Sequence, residues 1–208
     1  MNERAANQWK KARIPFGYYQ TFLRTKQHKH ILEVTDLLFI ANFKGGSATL
    51  AEPESGLSRK LPVYSRQLET ISEEYGERNL GDLDESEIGD LVSKAVKFVE
   101  LTRDGKHNLD GFGPSFASAL LNAHFPSLLP ILDKRALSGA KIMEASTNSQ
   151  GQVKGIEKHY ESLIRHVHSR MSKDRALTIE SMDRELFSEE LDDRFKSKNK
   201  RRTTGVGP

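Results

Sequence analysis

Two glycines and one aspartate carry the chemistry that the sequence makes legible. In Leu109-Asp110-Gly111-Phe112-Gly113-Pro114 the glycines admit a positive-φ turn or a close approach of backbone to ligand. Amides there, leading into a helix that opens at Pro114, can donate to a phosphate whose charge the helix dipole also favours. Such a grip positions a nucleic acid without reading its sequence. Downstream, Asp133 follows the proline-bounded run Phe125-Pro126 to Pro130-Ile131-Leu132 and precedes Lys134-Arg135-Ala136-Leu137. A lone carboxylate in such a place can stabilise positive charge developing on a sugar and orient or activate water. The same aspartate is also a natural helix N-cap, worth about 1 kcal/mol, and the two uses are compatible.

Around these residues stand groups suited to phosphate contact. Lys106 and His107 flank the turn, Lys134 and Arg135 follow the aspartate, and the Ser115 hydroxyl can donate to phosphate or bond its own backbone. Each of the charged ones also reads as an ordinary solvated side chain. Tyr64, in Arg59-Lys60-Leu61-Pro62-Val63-Tyr64, can contact or replace a displaced base, or pack locally. His159, His166 and His168 do not form a metal site by spacing: the last two diverge on a helix, and the first two lie two turns apart.

The elements that must position these groups are helical. Ile31 to Phe43 reads as a helix or a strand, and Gly45, Gly46, Pro53 and Gly56 mark a long loop. Pro62 falls near the start of a helix running to Gly76, and Glu85 to Thr102 carries Ile88, Leu91, Val92, Ala95, Val96 and Val99 on one face. Phe116, Ala117, Leu120 and Leu121 continue a helix after Pro114. Ile156 to Met171 and Asp174 to Leu191 form two more. No run of paired strands is evident, so the expected class is mainly α.

Composition narrows the field. The 208 residues suffice for one compact domain, and the absence of cysteine removes disulfides, thiolate metal sites and thiol nucleophiles. No apolar run is long enough for a membrane span and no secretory signal is evident, so the expected place is intracellular, cytoplasmic or nucleoid-associated. The net charge of +3 is small, but residues 1–30 and 194–208 are basic while Glu69 to Asp90 and Glu180 to Asp193 are acidic. A polyanion should therefore meet selected faces, and an acidic face is free to take a protein partner. The expected organisation is a basic, irregular or partly helical extension over 1–30, a helical domain over 31–193, and a basic flexible tail over 194–208.

Gly111-Phe112-Gly113-Pro114-Ser115-Phe116-Ala117, followed by Phe125-Pro126 and by Pro130-Ile131-Leu132-Asp133, resembles the helix-hairpin-helix family of DNA base-excision glycosylases, in its adenine-DNA glycosylase and endonuclease III branches. The resemblance covers residues 109–137, with a looser likeness from Leu61 to Thr102. It implies a helix-hairpin-helix glycosylase-like fold with the hairpin over about residues 90–123. It also implies duplex DNA with a flipped nucleotide as partner, and Asp133 as the catalytic carboxylate. Gly111, Gly113, Ser115, Lys106, His107, Lys134 and Arg135 become the expected DNA contacts, with Tyr64 as a base contact or wedge.

Two departures from the family qualify its implications. The chain has no cysteine for the family's iron–sulfur cluster, so no cofactor is expected. Ser115 occupies the position where lyase-competent members carry a lysine nucleophile, so the expected activity is monofunctional hydrolysis of an N-glycosidic bond. The alternative is a non-catalytic protein that keeps the scaffold to bind DNA or another protein.

Overall fold

The computed structural model describes residues 3–45, 50–142 and 153–187. Over these residues the protein is mainly helical and contains no strand. The helices are α1 (Glu3–Thr25), α2 (Val34–Lys44), α3 (Glu54–Tyr75), α4 (Glu85–Glu100), α5 (Pro114–His124), α6 (Lys134–Gly139), α7 (Tyr160–Lys173) and α8 (residues 179–187). Short 3-10 turns at Leu80–Asp82 and Ile156–His159 precede α4 and α7. None of the described helices is long and apolar enough to cross a membrane.

The N-terminal segment departs from expectation. Where an irregular or partly helical extension was expected, it is a 23-residue helix whose Phe16, Tyr19 and Leu23 are buried in the common core. Pro15 inside α1 removes a backbone hydrogen bond. Burial of an apolar face at helical spacing offsets that loss. A similar difference affects α3, which starts at Glu54 rather than near Pro62. Leu57, Leu61, Tyr64, Leu68 and Ile71 are buried along one face, so the helix continues through Pro62 and takes in Gly56, shortening the expected loop. Gly46 and residues 47–49 lie outside the described residues, as do residues 188–208, which include the expected basic tail.

A buried polar chain ties α1, α2 and α5 together. Lys26 Nζ donates to Asp36 Oδ2 at 2.5 Å, and Tyr19 Oη donates to Asp36 Oδ1 at 3.0 Å. Tyr19 Oη also lies 3.1 Å from His124 Nε2, and His124 Nδ1 lies 3.1 Å from His30 Nδ1. Asp36 accepts in addition from the Glu33 amide, closing the capping box that starts α2. A fully buried carboxylate is tolerated here because its oxygens are occupied and a cation faces it.

Candidate functional site

The turn between α4 and α5, residues 101–113, is shaped from below by α3. Tyr64 Oη donates to the His107 carbonyl at 3.2 Å, and Lys60 Nζ donates to the Asn108 carbonyl at 2.6 Å. Glu52 accepts from the Asp110 amide at 3.0 Å. Leu109 and Phe112 face each other in an isolated antiparallel bridge and are buried, which pushes Asp110 and Gly111 outward. Gly111 has φ +81°, the left-handed conformation that the turn requires. Gly113 differs: it is the extended N-cap of α5 at φ −92°, and a Cβ added there would meet open space. Its lack of a side chain leaves room in front of the helix rather than permitting the turn.

Asp133 arrives by another route. Residues 126–133 run without helix or sheet, so their backbone groups need side-chain partners. The Leu132 amide donates to Ser118 Oγ at 2.8 Å, Asn122 Nδ2 donates to the Leu129 carbonyl at 2.7 Å, and Tyr160 Oη donates to the Pro130 carbonyl at 3.0 Å. Two buried polar residues of α5 and one tyrosine of α7 thus hold the segment that ends at Asp133. The aspartate caps α6, with Oδ1 accepting from the Ala136 amide at 2.9 Å. Its other oxygen faces Lys44 Nζ at 3.6 Å, and its side chain is 35% exposed.

Both routes end at one cavity of about 540 Å³, bordered by Gly113, Pro114 and Ser115 at the start of α5 and by Asp133, Lys134 and Arg135 at the start of α6. Trp9, Phe43, Phe116 and Phe187 supply aromatic surface, while Arg13, Lys44 and Arg103 add cations. Arg135 lies over the Phe187 ring at 4.5 Å, pinning α8 against α6. The two helices also meet through Gly139, where a Cβ would lie 2.4 Å from the Leu186 carbonyl oxygen. Its missing side chain is a condition of that docking.

A second carboxylate, which sequence reading missed, borders the same cavity. Asp183 on α8 accepts from Trp9 Nε1 at 3.4 Å and lies 3.9 Å from Arg13 Nη1, with its side chain 23% exposed. Burial pushes its carboxyl up to about 6, the Asp133 charge adds to the rise, and Arg13 and the Trp9 hydrogen bond oppose it. A carboxyl so raised holds its proton to higher pH than an ordinary aspartate does. In the sequence Asp183 lies within the acidic stretch from Glu180 to Asp193. Its spacing from Ile179, Met182 and Leu186 puts it on the apolar face of α8, and that placement was the available signal.

The other expected residues divide. Ser115, Gly113, Asp133, Lys134 and Arg135 come together at the cavity, whereas Gly111, Lys106 and His107 lie on the turn and do not border it. His107 Nδ1 is paired with Asp104. Tyr64 is fully buried between Phe98 and Phe112, so its surroundings make it a packing residue that supports the turn rather than a wedge. Among the described residues, no three of His, Asp and Glu are grouped to hold a metal ion. His168 instead places Nε2 3.0 Å from the Leu83 carbonyl.

No protein-family model, curated protein or solved structure matches the chain. The chemistry of the cavity therefore stands on its own geometry: cations, aromatic side chains and two carboxylates, Asp133 and Asp183, on one lining.

Proposed function

We propose that the protein is a monofunctional DNA glycosylase of helix-hairpin-helix type, hydrolysing the N-glycosidic bond of a modified or mismatched base. One observation carries this reading: Asp133 and the Gly113 to Ser115 entry of α5 border the same cavity. A backbone held at the start of α5 would bring a flipped nucleotide past Asp133, with its base against the aromatic surface. The Asp133 charge would stabilise the cationic sugar of the transition state and orient water toward its anomeric carbon. Ser115 offers no amine for a Schiff base, which is why hydrolysis without strand cleavage is the expected outcome.

Among the cations that line the cavity, Lys134 and Arg135 at the start of α6 would supply the electrostatic attraction for the polyanion, which should weaken as salt rises. The deciding experiment is release of free base from duplexes carrying modified or mismatched bases, using wild type and Asp133→Asn. Asparagine can keep the cap while removing the charge. Base release by wild type that drops by about 10²-fold or more in the variant supports the reading. Folded, DNA-binding wild type that releases no base from a broad panel sinks it.

A second reading is favoured by the Asp133 contacts themselves. The carboxylate is already engaged by the Ala136 amide and by Lys44, as a purely structural cap would be. On that reading the chain binds DNA, or a protein through its acidic face, without chemistry. DNA affinity would then be salt-sensitive and unchanged in Asp133→Asn.

A further inference from the structure

We propose that Asp183 is the catalytic acid of this cavity, protonating the departing base, and that the substrate base is therefore uncharged. The inference rests on the glycosylase reading of the same site and identifies the proton donor and leaving-group class which that reading leaves open.

The argument begins with position. Asp183 reaches the cavity from α8, while Asp133 reaches it from the segment ahead of α6, so the two carboxylates come from separate elements. Around Asp183 stand Trp9 and Arg13 of α1, Lys44 of α2 and Asp133, with Glu180 of its own helix bordering a smaller cavity of about 240 Å³ on its other side. Asp183 borders both spaces. Burial and the Asp133 charge favour its protonated form, in which a carboxylic acid donates.

The reaction closes in atoms and charge. The C1′–N bond breaks with its electron pair going to the base, and the Asp183 proton joins that base. Water bonds through oxygen to C1′ and loses a proton to Asp133, from which it returns to solvent. Asp183, left as carboxylate, regains a proton from water. The products are free base and an abasic sugar. A base that already carries positive charge needs no such acid, and the cations Arg13, Lys44, Arg103, Lys134 and Arg135 on the cavity lining would repel it. An uncharged base, which departs poorly without protonation, fits both features.

The test measures base release from duplexes carrying uncharged modified bases (hypoxanthine, uracil, 8-oxoguanine) and from one carrying cationic 7-methylguanine. Wild type should release an uncharged base, with a rate that falls as pH rises above about 6. Asp183→Asn should lose about 10²-fold or more on that base while binding a duplex with an abasic-site analogue at wild-type affinity. A flat wild-type pH profile from 5 to 8 overturns the assignment without recourse to any variant. Retention of the wild-type rate and profile in Asp183→Asn, with Asp133→Asn inactive, overturns it and leaves the glycosylase reading standing. Release of 7-methylguanine alone overturns the substrate class, and release of no base at all overturns both readings together.

Discussion

The Trp9 indole donates to Asp183 Oδ2 at 3.4 Å, across 174 residues of sequence, and so joins α1 to α8 at the wall of the cavity. The bond stabilises the charged carboxylate, acting against burial and the Asp133 charge. Trp9→Phe keeps most of the ring and removes the donor. The Asp183 carboxyl should then titrate above its present value of about 6, and thermal unfolding should show a loss of about 1 kcal/mol. Carbon-detected NMR titration of the aspartate side chains measures the first effect, and an unchanged or lowered value contradicts the proposed contact.

Stability should depend on pH with two opposing contributions. His30 is lowered to about 4 by burial, with Lys29 adding to the effect, and His124 is lowered by burial and by His30. Between about pH 6.5 and 4 the unfolded chain binds protons at these positions and the folded chain does not, so stability is full above that window and falls on acidification. For His30 the loss is on the order of 2 kcal/mol. Asp183 has the other sign: its raised carboxyl contributes stability fully present below pH 3.8 and lost as pH rises through about 6. Urea unfolding should therefore show Asp183→Asn stabilised by about 1 to 2 kcal/mol at pH 7.5 and little changed at pH 4. Equal stabilisation at both pH values would contradict the raised carboxyl.

The two glycines ahead of α5 should respond differently to alanine. At Gly111 the positive φ makes any Cβ costly, so Gly111→Ala should lower stability by about 1 to 2 kcal/mol. Gly113→Ala meets open space at an ordinary φ and should melt within about 0.5 kcal/mol of wild type. A methyl group there intrudes on the approach to α5, so duplex DNA should bind more weakly. Calorimetry and binding isotherms separate the two effects, and normal DNA affinity in Gly113→Ala would remove the turn from the proposed contact surface.

Ser118 is the test of how Asp133 is held. Its hydroxyl accepts from the Leu132 amide in a buried setting, so Ser118→Ala should cost about 1 to 3 kcal/mol. Base release at a temperature where the variant remains folded should also fall, because the displaced segment carries Asp133. Full activity with lowered stability would mean that α6 alone suffices to position the carboxylate.

Asp133 itself separates capping from charge. Asp133→Ala should lose about 1 kcal/mol with the cap, whereas Asp133→Asn should lose less. Denaturant titration of the pair measures this difference. Identical losses would show that the Lys44 pairing, not the amide contact, holds the residue.

Much of the helical framework is legible from local pattern. The apolar spacing of α4, Pro114 at the start of α5 and the Asp133 cap are short-range features, fixed by residues within a turn or two of one another. They lead to a mainly α protein with a glycine turn and a carboxylate on separate helix starts. The continuity of α1 and α3 was not legible in the same way. Pro15 and Pro62 are local helix breakers, and burial against distant residues overrides them.

The composition of the cavity lies further beyond local pattern. The spacing of Asp183 from Ile179, Met182 and Leu186 places it on an apolar helix face but says nothing of what that face meets, and nothing near Trp9 or Lys44 connects those residues to Asp133. Their roles arise when α1, α2 and α8 close around the starts of α5 and α6. A carboxylate's protonation depends on its desolvation and on charges within a few ångströms, and both are properties of packing. Local sequence establishes the glycine turn and the Asp133 cap, while three-dimensional closure supplies the aromatic side chains, the cations and the second acid of the cavity.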